Sequence, residues 1–150
     1  MPKPRHDLRL HRPNILVSDM DRALGIYRDI IGFEVDFLMD ALDVAPEIFG
    51  LAPDTKMRIA FLSEGRGAFG SLAISEAANQ ELPVREPPYA CAIIIELEEG
   101  RLTGVLEQLR EVGLAIGQAY ELDNPRRTDI SFTDHDGHRV VLFELHTKRR

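Results

Sequence analysis

The sequence has one cysteine, Cys91, and no tryptophan. A single thiol cannot close a disulfide within the chain, so a reducing, cytoplasmic setting is expected. No apolar run approaches the roughly 20 residues of a membrane-spanning helix, and the opening residues lack the apolar core of a secretion signal. There is no Gly-rich phosphate loop, no Gly-x-Ser-x-Gly elbow and no Cys-x-x-Cys pair. Positive charge is also scarce. Eighteen Lys and Arg face 25 Asp and Glu, a formal charge of -7. A field of that sign repels nucleic acid and anionic membranes, and no basic-aromatic stripe offsets it. Basic residues gather at the ends, at Lys3, Arg5, Lys148, Arg149 and Arg150, where solvated termini are expected.

What is present is a globular composition. Hydrophobic residues make up 44% of 150, enough for one compact domain with a core of its own. The clearest stretch is 128–146. Ile130 and Phe132 alternate with polar residues, as on a half-buried strand. Asp134-His135-Asp136-Gly137 is a turn, because Asp bonds its own backbone and Gly accepts positive φ. It is not a calcium loop, since the acidic spacing and the closing Glu are missing. Val140 to Leu145 is β-branched and aromatic and reads as a buried strand, central to its sheet.

Upstream, residues 11–17 read as a strand that Pro13 delays or holds at an edge. Asp19 can cap a helix whose apolar positions are Met20, Ala23, Leu24, Tyr27, Ile30 and Ile31, with Gly32 as its stop. Strands follow at 33–38, 57–62 and 69–75. Residues 40–55 interrupt with Asp43, Pro46, Phe49 and Pro53, which predicts a long loop with a short helix. Residues 77–88, with Asn79, Pro83, Pro87 and Pro88, form a linker.

The pattern then returns. A strand spans 89–97, with 91–95 as its buried part. A helix carries Leu102, Val105, Leu106, Leu109 and Val112 on one face and stops at Gly113. A strand at 114–122, with a bulge at Gly117, and the closing hairpin complete the second set. The spacing from Asp19 to Gly32 equals that from Gly100 to Gly113. This is an internal repeat, one strand, a helix and three strands, used twice. The expected fold class is α+β: modules 10–76 and 89–146 form a cupped mixed or antiparallel sheet with helices outside and a cleft between modules. A single ferredoxin-like sheet is the alternative, and it leaves the repeat unexplained.

Two motifs carry a family resemblance. Asn14-Ile-Leu-Val-Ser-Asp-Met-Asp-Arg-Ala-Leu-Gly-Ile-Tyr-Arg-Asp-Ile-Ile-Gly-Phe33 resembles the opening of the vicinal oxygen chelate superfamily. That group includes glyoxalase I, extradiol dioxygenases and the bleomycin and fosfomycin resistance proteins. Phe132-Thr-Asp-His-Asp-Gly-His-Arg-Val-Val-Leu-Phe-Glu144 resembles its closing motif, with His135 where Pro is common. The resemblance implies the fold more strongly than the reaction. In metal-dependent members the ligands are His, Gln or Glu on the first and last strand of each module. The matching positions here are Arg12, Ala73, Ala92 and Val141, and none of them is a metal ligand. The resemblance therefore implies a metal-free protein that binds a small organic ligand, an anion if Arg12 anchors it.

Strand alternation puts Val141, Phe143 and Leu145 on one face and Glu144 on the other. Arg58 alternates with Ala60 and Leu62 and is a second cationic candidate. Phe49, with Ile48 and Leu51, could form a flap over the cleft. A one-residue change of register would instead bring His11, Glu76 and Glu144 together with Cys91. The protein would then be a divalent-metal enzyme, a lyase, isomerase or dioxygenase using Zn, Ni, Mn or Fe. Tyr27 is expected in the core and Cys91 in a buried structural role. Glu76 and Glu96 are strand-end carboxylates, and His135 and His138 are expected to be exposed. A homodimer is expected, with no nucleic-acid or membrane partner.

Overall fold

The computed structural model describes residues 7–40, 45–78, 80–83 and 85–147. The terminal basic residues, Asp43 of the loop and Asn79 of the linker lie outside them.

Two four-stranded sheets carry the chain. The first holds β1 (Asn14–Val17), β2 (Glu34–Asp40), β3 (Met57–Ser63) and β4 (Leu72–Ala77), in the order β1-β4-β3-β2. The second holds β5 (Ala92–Leu97), β6 (Tyr120–Asp123), β7 (Arg126–Thr133) and β8 (Arg139–Leu145), in the order β5-β8-β7-β6. In each, the first strand runs parallel to the last and the other neighbours are antiparallel. A parallel neighbour needs a crossover, and in each module the helix supplies it. The fold is α+β, two βαβββ modules in tandem. β1 is an edge strand that starts only after Pro13, where a missing N–H costs no ladder bond.

Helix α1 (Met20–Leu24) begins at Asp19, whose carboxylate accepts the Arg22 N–H at 3.0 Å. It widens into a π-helical stretch, Gly25–Ile31, and stops at Gly32, where φ is 107°. Helix α2 (Leu102–Glu111) lacks a side-chain cap from its own preceding residue. Glu144 of β8 supplies one from across the core, accepting the Leu102 N–H at 2.9 Å. Glu76 of β4 does the same for the Met20 N–H of α1. Both carboxylates are buried, where an orphan N–H at a helix start costs most if left unpaired.

The apolar faces of both helices and the helix-side faces of both sheets join into one core, with α2 packed on the π-helical stretch. Tyr27, Phe132, Met20 and Leu24 are among its fully buried side chains. Among the described residues neither α1 nor α2 packs on the other face of its sheet. This changes two expectations. Val140–Leu145 is internal to its sheet, yet only Val140, Leu142 and Glu144 are buried, while Val141, Phe143 and Leu145 are half-buried. The stretch 91–95 alternates too. Ile93 and Ile95 turn toward the core, whereas Ala92 and Ile94 are exposed, and Cys91 is exposed ahead of the strand.

The expected strand at 114–122 shortens to β6. Before it, Ile116 only bridges to Phe132 and the Gly117 N–H bonds the Ser131 carbonyl at 2.8 Å. A Cβ on Gly117 would stand 3.0 Å from that oxygen, so the glycine permits close backbone approach. The loop after β2 contains a short 3-10 helix, Pro46–Phe49. No helix among the described residues is long and apolar enough to cross a membrane.

Candidate functional site

Strand register sorts the candidates by face. Ile15, Leu62, Ile74 and Leu142 look into the helical core. Their neighbours one residue away look to the open side.

On the first sheet the open side holds Arg12. Its Nε donates to the Gly70 carbonyl at 2.6 Å, and its guanidinium lies 3.9 Å from the centre of the Phe61 ring. Phe37 and Phe69 pack on Phe61 with ring centres 5.3 and 6.1 Å away. Gly70 has φ of 56°, and an added Cβ would press on the guanidinium at 3.1 Å, so the turn is shaped around Arg12. Among the described residues no carboxylate forms an ion pair with it. Asp36 stands one peptide away, occupied by the Gly70 N–H at 2.8 Å and the Ser63 hydroxyl at 3.0 Å. Ala73, opposite Asn14 and Phe61, shares this face and is buried.

On the second sheet the open side holds Ala92, Val141 and Phe143. Ala92 pairs with Arg139, Val141 with Ile94 and Ser131, and Phe143 with Glu96 and Asp129. Glu96 is exposed there, and Asp129 is paired with Arg127 at 2.9 Å.

Other candidates fall elsewhere. Arg58 stands opposite Glu76 and Asp40, on the helix side with Ala60 and Leu62, so it does not join Arg12. Its alternation with those core residues already carried that signal. Phe49 is half-buried in the 3-10 helix and makes no ring contact with Phe37, Phe61 or Phe69. His11 is exposed and outside any strand. Glu76 and Glu144 are committed to helix starts, so the shifted-register set does not converge. A divalent metal needs three or four donors. Arg12, Ala73, Ala92 and Val141 offer none, and among the described residues no three His, Cys, Asp or Glu side chains group to hold an ion. The donor set does not fit the metal that the fold's metal-dependent members hold.

Some contacts escaped sequence reasoning. The Tyr27 hydroxyl is buried and donates to Asp134 Oδ2 at 2.7 Å, joining the first helix to the closing turn. Burial first, then the Asp134 charge, raises the Tyr27 pKa well above its ordinary value. The other Asp134 oxygen accepts the N–H groups of Asp136 and His138. Asp136 accepts the N–H and hydroxyl of Ser18. His138 is half-buried rather than exposed, and its Nε2–H donates to the Leu16 carbonyl at 2.7 Å. The turn was legible as a turn. Its partners lie more than a hundred residues away, and nothing local encodes them. Arg139 was also missed, although its alternation with Val141 and Phe143 places it on the open face.

The repeated βαβββ order and the parallel first–last strand pairs define the class of fold. The sequence profile of the Glyoxalase/Bleomycin resistance protein/Dioxygenase superfamily matches residues 9–142, and the chain belongs to that family. Solved structures share the fold. A glyoxalase family protein from Bacillus cereus is similar at TM-score 0.69 and 18% identity, over 97% of this chain and 98% of that one. The trypanothione-dependent glyoxalase I of Leishmania major is similar at TM-score 0.63 and 18% identity, over 91% and 87%. Fosfomycin resistance protein FosX of Mesorhizobium loti is similar at TM-score 0.58 and 14% identity, over 93% of each chain. No curated protein matches the chain in sequence.

Proposed function

We propose that this chain is a metal-independent binding protein that holds a small organic anion against the open sheet faces, with Arg12 as an anchor. The observation that carries the reading is the identity of the four ligand positions, Arg12, Ala73, Ala92 and Val141. Where metal-dependent relatives need donors, this chain has one permanent cation and three aliphatic side chains. A guanidinium keeps its charge at any accessible pH and offers a planar fork to a carboxylate or phosphate. Arg12 is half-buried, is held by Gly70 and has no carboxylate within ion-pair distance among the described residues. Phe61, Phe37 and Phe69 give the ligand an aromatic wall.

The assembly is a homodimer on this reading. The open face of the second sheet leaves Ile94, Tyr120 and Leu122 in solvent, and a second copy would cover it. The single thiol fits a cytoplasmic location.

Metal content of untagged protein, purified without chelator, is the first test. It is followed by a thermal-shift screen of aromatic and carboxylate compounds. Substoichiometric metal after loading and dialysis, with anions that raise the midpoint, is the expected result. Arg12→Ala should weaken those anions about tenfold, the scale of one lost charge-assisted contact. Stoichiometric Zn, Ni, Mn or Fe would replace this reading with a metal-dependent lyase, isomerase or dioxygenase.

A further inference from the structure

A second guanidinium is built into the other module. Arg139 opens β8 and is half-buried. Its Nη1 donates to the Thr133 hydroxyl at 3.3 Å and its Nη2 to the Ser131 hydroxyl. The guanidinium lies 4.7 Å from the centre of the Tyr89 ring, and the Thr133 hydroxyl donates to the Tyr89 oxygen at 3.3 Å. The hydroxyls leave the charge uncompensated, and no carboxylate among the described residues pairs with it. An arginine held in place with N–H donors to spare is suited to receive a planar two-oxygen anion.

The same arginine lines a pocket of about 330 Å³ where the edge strand of the first module meets the start of the second. Pro88, Ala90 and Ala92 give it apolar walls, Ile15 and Ile93 border it from the core side, and Tyr89 and Cys91 line it as well. Arg85 and Glu86 also line it, both exposed and opposite in charge, and the ring of His138 is taken up by the Leu16 carbonyl, so Arg139 leaves the lining with a net positive charge. The volume lies at the lower end of small-molecule sites.

We infer that this pocket is a carboxylate subsite, in which Arg139 receives the two oxygens of a small apolar acid whose body rests on Pro88, Ala90 and Ala92. The inference deepens the small-anion reading by naming the ligand class. It rests on that reading's account of the fold as a binding scaffold, but not on Arg12. Tyr89, Ser131 and Thr133 are positioning residues that aim the guanidinium. Binding transfers no group and needs no cofactor.

Cys91 is the chain's one thiol and lines the same pocket, so its accessibility reports occupancy. The experiment follows modification of the full-length chain by the neutral reagent 4,4′-dithiodipyridine, with phenylacetate or its neutral isostere phenylacetamide present. Phenylacetate should slow the reaction saturably in the millimolar range. Phenylacetamide should need about tenfold more, the loss of one charged contact. Arg139→Gln should abolish the difference between acid and amide. Arg110→Gln, on the exposed side of α2, should leave it intact. Ser131→Ala, which frees the guanidinium without removing its charge, should raise the half-protecting concentration a few-fold.

Equal protection by acid and amide overturns the proposal, as does no protection up to about 20 mM acid, beyond which affinity is negligible. The acid-amide contrast in the unmodified chain decides the matter even where Arg139→Gln fails to fold. Anions that raise the thermal midpoint without shielding Cys91 would sink this subsite and leave the Arg12 reading standing. Shielding that depends on Arg139, alongside an Arg12→Ala variant with unchanged affinities, would do the reverse.

Discussion

Glu76 ends the first module as Glu144 ends the second. Each sits at the same step of a parallel strand pair, opposite Val17 and Leu97 respectively, and each accepts the first N–H of its module's helix. The cores behind them are continuous and built from the same residue types. The open faces differ. The first module closes its face with Phe37, Phe61 and Arg12 over a buried Ala73. The second leaves Ile94, Tyr120 and Leu122 exposed beside Val141 and Phe143. The two modules thus share their helix caps, which the fold needs, and differ on their open faces, where packing constrains the side chains less.

The comparison breaks most sharply at the caps. Glu76→Ala and Glu144→Ala should each cost about 2–3 kcal/mol, because each leaves a buried helix N–H without an acceptor. Urea unfolding of the two variants should agree within about 0.5 kcal/mol, the scatter expected for equivalent sites. A clear inequality would show that one module dominates stability.

A smaller effect tests the link between modules. Tyr27→Phe removes the hydroxyl bond to Asp134 and should cost about 1–2 kcal/mol at neutral pH. The sign of its pH dependence follows from burial. In the unfolded chain Tyr27 titrates near 10.0, and in the folded chain higher. Stability from the neutral hydroxyl is complete below the unfolded value and is lost as pH rises toward the folded one. Stability curves from pH 8 to 11 should therefore fall more steeply for the parent than for Tyr27→Phe, and their gap should narrow above about pH 10. Parallel curves would rule out Tyr27 as the titrating group.

The smallest effect lies on the solvent side of the first helix. Arg28 and Asp29 make a close pair at 2.7 Å, both exposed. Pairing lowers the Asp29 pKa and raises that of Arg28. Solvent screens such pairs, so Arg28→Ala should leave the thermal midpoint unchanged within error. A marked drop would mean that the π-helical turn depends on a surface ion pair.

Reading the sequence gave the repeat, both helices with their glycine stops, the closing hairpin and an internal last strand, because each has a period or a turn chemistry of its own. It misplaced what depends on which side of a sheet is covered. Cys91 and Ile94 sit in an apolar run that reads as buried, yet both are exposed, Cys91 ahead of the strand and Ile94 on its open face. Arg58 was placed with Arg12 by charge, although its alternation with Ala60 sends it to the helix side. Glu76 and Glu144 looked like metal donors in a shifted register, and only the distance to the helix starts shows them as caps.

By itself the sequence determined the family, the order of elements and the absence of donors at the four ligand positions, since residue type and spacing are local properties. The tertiary structure alone decided that Tyr27 meets Asp134, that His138 meets Leu16 and that Arg139 stands over Tyr89 beside a pocket. Those pairings join residues distant in the chain. They exist only once the two modules have buried their helices in one core and fixed which face of each sheet stays open.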